Sequence, residues 1–234
     1  MKNLAIIPAR GGSKRIPKKN IKDFLGKPII AYSIEAALKS SLFDEVMVST
    51  DDEKIAEVAK KYGAKIPFFR NKETANDYAG LADVVKEVLD NYIEKGHHFD
   101  NTCLILATAP FINEEKLIKA YKLLTTNNVD CVITVTEYSF PIQRSFKIDN
   151  GYLKMRWPEN MNKRSQDLEK TYHDAGQFCF FKTDEFFKQD KLYMEKMIPI
   201  ILDNLEVQDI DTESDWKLAE LKYKLILEMK KSLL

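Results

Sequence analysis

A run of positive charge follows the first apolar segment of the chain. Residues 6–20 read IIPARGGSKRIPKKN and place five cations and two glycines in one short stretch. Glycine lets the backbone approach an anion closely and turn its N–H groups inward, and Arg10, Lys14 and Lys19 can supply charge to a triphosphate. The stretch therefore predicts a polyphosphate site. A solvated basic loop whose glycines serve only the turn explains the same residues.

The spacing of this loop differs from the two common phosphate-binding fingerprints. Neither G-x-x-x-x-G-K-[ST] nor G-x-G-x-x-G occurs in the chain. Gly11 and Gly12 are the candidates for backbone contact with an anion.

Two aspartates near the C-terminal helix form a second candidate site. Asp209 and Asp211 lie two residues apart in a segment that looks extended, so both carboxylates would project from one face. Mg²⁺ takes oxygen ligands, often one or two carboxylates completed by water and substrate phosphate. Helix capping is the alternative, because the sequence DIDTESD precedes a helical pattern and acids there complement the helix dipole.

Composition limits the classes of function. The chain has 36 Lys and Arg against 36 Asp and Glu, and this balance argues against a dedicated nucleic-acid binder. Cys103, Cys131 and Cys179 are an odd, widely spaced set, which indicates buried thiols in a reducing compartment. No secretory leader and no stretch of about 18 uncharged apolar residues is evident. We therefore expect a cytoplasmic protein without a membrane partner.

Short β-rich runs alternate with helical patterns through the first 136 residues. One helix between successive strands predicts βαβ crossovers and hence an α/β fold with a doubly wound, mostly parallel sheet. Ligands bind such sheets beyond the carboxyl ends of the strands, where the basic loop falls. Thr50 and Glu53 fit a capping box. Strands are expected at 3–8, 45–49, 65–69, 102–107 and 131–136, and helices at 28–39, 51–62, 79–94 and 114–124.

The regular alternation of strand and helix patterns ends after residue 136. Residues 145–155 alternate around Asp-Asn-Gly, which predicts a hairpin, and the polar residues 157–174 have no period. We expect one domain over residues 1–234 with an insertion at about 138–175. Strands should resume at 176–182 and 197–201, and a long amphipathic helix should run from about residue 212 to the end.

Four segments, in order along almost the whole chain, carry a family resemblance: IIPARGGSKRIPKKNI, FLGKPIIAYSIEAAL, VSTDDEKIAEVAKKYGA and QDIDTESD. The chain resembles the sialic-acid-type cytidylyltransferases of the nucleotide-diphospho-sugar transferase superfamily, whose fold is Rossmann-like. TAPF, SFPIQRSF and RSQDLEKTYHDAGQF are most similar to the branch that acts on pseudaminic acid. The resemblance implies an enzyme that joins CTP to a nine-carbon α-keto sugar acid, releases diphosphate and uses Mg²⁺.

The resemblance also implies residue roles and a homodimer formed through the insertion, in which each subunit completes the other's sugar pocket. Arg70 and Asp77 match the region that closes over cytosine and ribose, and Asp209 and Asp211 match the metal ligands. The implied nucleotide-binding residues are Arg10, Gly11, Gly12, Ser13, Lys14, Lys19, Asn20, Arg70 and Asp77, and the implied catalytic residues are Arg10, Lys14, Lys19, Asp209 and Asp211.

The carboxylate of a sugar acid calls for a bidentate arginine. Arg144 and Arg164 are the candidates, beside Gln166 in the insertion. Further donors and acceptors for hydroxyl and acetamido groups are Tyr172, His173 and Gln177. A role as ordinary surface groups is the alternative for Arg164 and His173.

Other functions stay open at this point. The acceptor could be legionaminic or N-acetylneuraminic acid. A regulatory protein that binds a nucleotide without turnover would keep the same fold. An RNA-binding module would use the basic loop in a strongly salt-dependent way, and the balanced charge counts against it.

Overall fold

The computed structural model describes residues 1–232. Its strands are β1 (Asn3–Pro8), β2 (Asp23–Phe24), β3 (Lys27–Pro28), β4 (Glu45–Ser49), β5 (Asn101–Ile105), β6 (Cys131–Glu137), β7 (Phe146–Asp149), β8 (Tyr152–Met155), β9 (Tyr172–Lys182) and β10 (Met197–Leu202). Its helices are α1 (Ile29–Ser40), α2 (Glu53–Lys61), α3 (Lys72–Ala75), α4 (Leu81–Glu94), α5 (Glu114–Thr126), α6 (Thr183–Gln189) and α7 (Glu213–Ser232).

The core of the fold is a six-stranded sheet in the order β10-β6-β9-β5-β1-β4. Every pairing in it is parallel except those of β9, which runs antiparallel to both β5 and β6. The predicted α/β fold with a mostly parallel sheet is confirmed. The carboxyl ends of β1, β4, β5 and β6 therefore meet at one edge of the sheet, where open α/β folds bind ligands.

Helices cover both faces of the sheet. Helices α1, α2 and α5 pack on one face, where Ile34 and Leu117 are fully buried, and α4 and α6 pack on the other with Val85. Strand β1 is buried on both sides, because Ile7 points into the first layer and Ile6 into the second. Burial on both faces explains why β1 reads as a continuous apolar run.

A third apolar cluster joins the basic loop (residues 10–20) to the acidic segment (residues 209–211). Ile16 and Ile210 are each 1% exposed and pack in one cluster with Phe24 and Trp216. Full burial of an isoleucine side chain contributes about 1.5–3 kcal/mol. The packing of these two isoleucines in one cluster brings the charged residues of the basic loop close to those of the acidic segment.

Two local predictions were wrong. Residues 65–69 form no strand, only a bridge from Lys65 to Met47, because Pro67 lacks the N–H that a ladder needs. The cap of α2 is Asp52 rather than Thr50, and the Asp52 carboxylate accepts the Ile55 N–H at 3.0 Å. Helices α3 and α6 and the short pair β2–β3 were not predicted.

The predicted start of the last helix is confirmed. The Thr212 N–H donates to Asp215 Oδ2 at 2.8 Å, and the Asp215 N–H donates to Thr212 Oγ1 at 3.3 Å. This reciprocal pair closes the first turn of α7. The predicted continuation of the helix to residues 233 and 234 lies outside the described residues.

The chain between β6 and β9 leaves the sheet and forms the insertion. The predicted hairpin is confirmed as β7–β8, with Ile148 opposite Leu153. Asn150 and Gly151 turn it with φ values of 50° and 81°, as a two-residue hairpin turn requires. Short 3₁₀ turns at Pro158–Asn160 and Ser165–Asp167 follow.

The three cysteines are buried and free, as predicted. Within residues 1–232 no helix combines the length and the apolar character needed to cross a bilayer. The cytoplasmic location stays a prediction.

Candidate active site

A cleft of about 480 Å³ opens at the carboxyl edge of the sheet. The basic loop forms one wall, the residues after β5 form the floor, and residues 70–84 form the other wall. The predicted nucleotide ligands that line it are Arg10, Ser13, Lys14, Lys19, Asn20, Arg70 and Asp77. Gly11 and Gly12 belong to the same loop but do not line the cleft.

The basic loop is held against the start of α2. The Gly11 N–H donates to Asp51 Oδ1 at 2.8 Å, and the Asn20 side-chain amide donates to the Arg10 carbonyl at 3.0 Å. A Cβ on Gly11 would lie 2.9 Å from the Asp52 Cβ, whereas a Cβ on Gly12 would meet nothing within 4 Å. Gly11 is therefore required for close packing, and Gly12 leaves its side of the backbone accessible.

Replacing Gly11 by alanine should lower stability by about 1–3 kcal/mol, the usual cost of overpacking, because Asp52 caps α2 and cannot move freely. Thermal unfolding of Gly11→Ala and Gly12→Ala measures this. The matched Gly12→Ala variant should unfold near the wild-type temperature. Equal unfolding temperatures for both variants would contradict the proposed packing role of Gly11.

Arg10 and Lys14 converge on one carboxylate across the cleft. Arg10 Nη1 donates to Asp77 Oδ1 at 2.6 Å and to the Asn76 carbonyl at 2.9 Å, and Lys14 Nζ contacts Asp77 Oδ2. The hydrogen bonds from Lys14 and Arg10 lower the pKa of the Asp77 carboxyl. Exposed ion pairs of this kind are weak and exchangeable, so a triphosphate can compete with Asp77 for both cations.

Lys19 and Arg15 connect the basic loop to the acidic segment. Lys19 Nζ donates to the Ile210 carbonyl at 2.6 Å and lies 3.6 Å from Asp211 Oδ1. Arg15 Nη2 donates to the same Asp211 oxygen at 2.7 Å. The two segments that the sequence singled out for opposite charge are therefore in direct contact.

Arg70 is fixed at the end of β4. It is only 8% exposed, and its guanidinium donates to the Ser49 hydroxyl at 3.0 Å and to the Ser49 carbonyl at 2.6 Å. Burial lowers its pKa, but an arginine stays protonated in proteins. Arg70 is thus a buried cation of the cleft whose guanidinium is fixed by two hydrogen bonds to the end of β4.

Sequence reasoning missed several residues of the cleft. Arg15 lies at its rim and holds Asp211, and Asn76 holds Arg10. Leu106 and Thr108 form the floor directly after β5. Their position after a buried strand, at the edge where ligands bind, was the available signal.

The predicted sugar-binding residues of the insertion do not line this cleft. Arg144 Nη1 donates to the Ser165 hydroxyl at 3.3 Å, and Arg164 makes a bidentate pair with Asp167 at 2.7 and 3.0 Å. Gln166 lies in a separate groove beside Ser165.

Two further candidates lie at the start of β9, outside the cleft, and a third lies farther along that strand. Tyr172 is opposite Glu137, and the His173 ring packs 4.7 Å from the Tyr138 ring, measured between centroids. Gln177 differs from both, because it lines a second cavity that adjoins the cleft.

The acidic segment has the donor chemistry for a Mg²⁺ ion. The Asp209 carboxylate makes no hydrogen bond or ion pair to any described side chain, whereas Asp211 is shared with Arg15 and Lys19. No set of three or more His, Cys, Asp and Glu side chains converges anywhere in residues 1–232. Two carboxylates fit Mg²⁺, which usually completes its shell with water and substrate phosphate.

Known proteins are similar to this chain over almost its whole length. The model of the family described as Cytidylyltransferase matches residues 4–218. The pseudaminic acid cytidylyltransferase of Campylobacter jejuni subsp. jejuni serotype O:2 is 46% identical over 96% of this chain and 97% of its own length. The CMP-N,N'-diacetyllegionaminic acid synthase of Legionella pneumophila subsp. pneumophila is 34% identical over 94% of this chain and 95% of its own.

A solved structure shares the fold. The CMP:2-keto-3-deoxy-manno-octonic acid synthetase complexed with CTP superposes with a TM-score of 0.67 at 18% identity, covering 97% of this chain and all of that one. At 18% identity this structural similarity supports the fold only. The family match and the identity to curated relatives show more: the chain is a transferase of the cytidylyltransferase family.

Proposed function

We propose that this enzyme transfers CMP from CTP to a nine-carbon α-keto sugar acid, with pseudaminic acid as the acceptor. The anomeric hydroxyl of the sugar would attack the α-phosphorus of CTP, and diphosphate would leave. The proposal rests on one contact: Lys19, a cation that lines the cleft, donates to the carbonyl of Ile210, which stands between the two aspartates of the acidic segment. The relative at 46% identity supports the choice of acceptor.

The cations of the cleft suit the leaving diphosphate. Phosphoryl and nucleotidyl transfer depend mainly on positioning and on neutralising the charge of the phosphates. Arg10 and Lys14 would exchange Asp77 for the phosphate oxygens, and Lys19 would hold the tail from the side of the acidic segment. Arg70, with its guanidinium fixed by Ser49, would orient the nucleoside end.

Asp209 and Asp211 would hold Mg²⁺ beside the attacked phosphate. When bound, the ion would neutralise phosphate charge and lower the pKa of the attacking hydroxyl. Arg15 and Lys19 would position Asp211 by the contacts they already make. The proton of the attacking hydroxyl would pass to water, since no side chain is assigned as a general base.

The insertion would serve a homodimer. One face of the hairpin carries Phe146, Ile148, Leu153 and Met155, and the cross-strand pair Ile148 and Leu153 is 77% and 70% exposed. An isolated two-stranded hairpin with an uncovered apolar face is marginal in water, so a second copy of the chain is the proposed cover. Across that interface Arg144 and Arg164 would reach the partner's sugar pocket.

The double variant Ile148→Glu, Leu153→Glu should convert the dimer into a monomer, because facing charges would be buried in the interface. Light scattering coupled to size exclusion measures the mass. Lys147→Glu, Lys154→Glu is the matched control on the opposite hairpin face and should stay dimeric. A wild-type monomer, or a double variant that stays dimeric, would contradict this role of the hairpin.

An acceptor panel tests the proposed reaction. The purified protein is incubated with CTP, Mg²⁺ and, in turn, pseudaminic, legionaminic and N-acetylneuraminic acid, and released diphosphate is measured. We expect the highest kcat/KM with pseudaminic acid. Turnover with N-acetylneuraminic acid alone would overturn this choice of acceptor, and absence of turnover with all three would overturn the proposed function.

A further inference from the structure

A short stretch of chain between β10 and the acidic segment, residues 203–207, is held by polar side chains from several elements and is called the anchor segment below. We infer that Lys116 on α5 is a positioning residue: its ion pair with Glu206 of the anchor segment fixes the chain that leads to Asp209 and Asp211. The inference rests on the proposed function, since it concerns the carboxylates proposed there to hold Mg²⁺.

Lys116 makes two polar contacts in the first turn of α5. Its Nζ lies 2.9 Å from Glu206 Oε1 and donates to the Phe111 carbonyl at 2.9 Å, and its side chain is 12% exposed. Burial lowers the pKa of the Lys116 ammonium, and the Glu206 carboxylate opposes this shift. Phe111 packs in the apolar cluster with Ile16 and Ile210. The lysine therefore connects the anchor segment to the cluster that joins the basic loop to the acidic segment.

Two further side chains hold the anchor segment. Gln177 Nε2, on β9, donates to the Glu206 carbonyl at 2.6 Å. Lys222 Nζ, on α7, donates to the Asn204 carbonyl at 3.0 Å and to the Val207 carbonyl at 2.6 Å. Both of these contacts bind the backbone, whereas the ion pair of Lys116 joins two side chains. It can therefore be removed at either partner while the backbone contacts remain.

The anchor segment lies close in sequence to the proposed metal ligands. Asp209 is three residues beyond Glu206, and three extended residues span at most about 10 Å. Residues 207–211 form no helix or strand, so their course depends on the contacts at both ends. At the far end Lys19 donates to the Ile210 carbonyl. A displacement of Glu206 would be passed on to Asp209, and a misplacement of about 1 Å can cost about 100-fold in rate.

Positioning explains this ion pair better than stability does. Moving a lysine ammonium out of water has a desolvation cost that the attraction to its partner often only offsets, so apolar residues of similar volume are frequently as stable. A partly buried polar pair nevertheless favours one arrangement of the chain, because either partner alone loses its counter-charge. Removing a group that orients metal ligands commonly costs about 10- to 100-fold in metal affinity or activity.

The test measures metal binding and turnover in Lys116→Met, which removes the charge and keeps a side chain of similar length. Mn²⁺ is titrated into the protein with CTP, and the bound ion is followed by the loss of the free-ion EPR signal, corrected for CTP alone. We expect the Kd for Mn²⁺ to rise about 10- to 100-fold and kcat to fall by a similar factor. The Kd for CTP without metal should stay within twofold, because the basic loop keeps its cations.

Three companion variants separate positioning from folding. Lys116→Arg keeps the cation and should bind Mn²⁺ within threefold of wild type. Glu206→Gln removes the same ion pair and keeps the carbonyl that Gln177 binds, so it should weaken Mn²⁺ binding even if Lys116→Met does not fold. Lys27→Met is the matched control: Lys27 forms a half-buried ion pair with Glu35, and within residues 1–232 it makes no polar contact with the anchor segment or the acidic segment. It should bind Mn²⁺ as the wild type does.

The outcomes distinguish this inference from the proposed function. Wild-type Mn²⁺ binding in Glu206→Gln and in folded Lys116→Met would overturn the positioning role alone, provided that Asp209→Asn weakens Mn²⁺ binding. Loss of metal-free CTP binding in parallel with Mn²⁺ binding would indicate a general structural role and would also overturn it. Unchanged Mn²⁺ binding in Asp209→Asn would overturn the metal assignment of the proposed function together with this inference.

Discussion

Replacing Asp209 by asparagine should lower turnover by roughly 1,000-fold, which corresponds to about 4 kcal/mol of transition-state stabilisation. The reason is charge: among residues 1–232 nothing pairs with the Asp209 carboxylate, so we assign it to Mg²⁺. Binding of CTP should weaken much less, because Arg10, Lys14 and Lys19 remain. Steady-state release of diphosphate and calorimetric binding of CTP, both with Mg²⁺, separate the two effects.

The control for Asp209→Asn is Asp90→Asn, which makes the same change at an exposed position of α4. It should keep the wild-type rate. The apparent Mg²⁺ requirement of Asp209→Asn should also rise. Near-normal turnover by Asp209→Asn would remove the metal assignment.

Arg10→Ala should damage both binding and turnover. Arg10 Nη1 donates to Asp77 and to the Asn76 carbonyl, and in the proposed complex the same guanidinium would donate to phosphate oxygens. A hydrogen bond to a charged group contributes about 1.5–3 kcal/mol, so the Kd for CTP should rise roughly 10- to 100-fold. Stabilisation of the leaving diphosphate would be lost as well, and kcat should fall about 100-fold.

Lys18→Ala is the control for Arg10→Ala, because Lys18 is an exposed cation of the same loop that does not line the cleft. It removes the same unit of charge. A comparable loss of CTP binding in both variants would mean that the loop acts only through its net charge.

Much of the sheet could be predicted because burial on both faces leaves a clear signal. Strand β1 is apolar at Ile6 and Ile7 alike, and the alternation of strands with helices fixes parallel crossovers. The hairpin β7–β8 was evident from Asn150 and Gly151, whose positive φ values match the preference of that turn. These features depend on residues close together in the chain.

The missed features depend on contacts between distant residues. The residues around Asp77 in the sequence do not predict that it binds Arg10 and Lys14. The contact between Arg15 and Asp211 joins residues 196 positions apart, so it has no local pattern either. The adjacency of the two segments depends on Ile16 and Ile210, whose shared cluster forms only in the folded chain. The irregularity in the pairing of β6 with β9, between Ile133 and Val135, likewise has no periodic pattern in the sequence that would predict it.

The most direct test of the account is a crystal structure of the protein with CTP and Mn²⁺ in place of Mg²⁺, located by its anomalous scattering. We expect phosphate oxygens within hydrogen-bond distance of Arg10 and Lys19, and an anomalous peak at the carboxylates of Asp209 and Asp211. A triphosphate held away from the basic loop, or an ion bound remote from both aspartates, would contradict it.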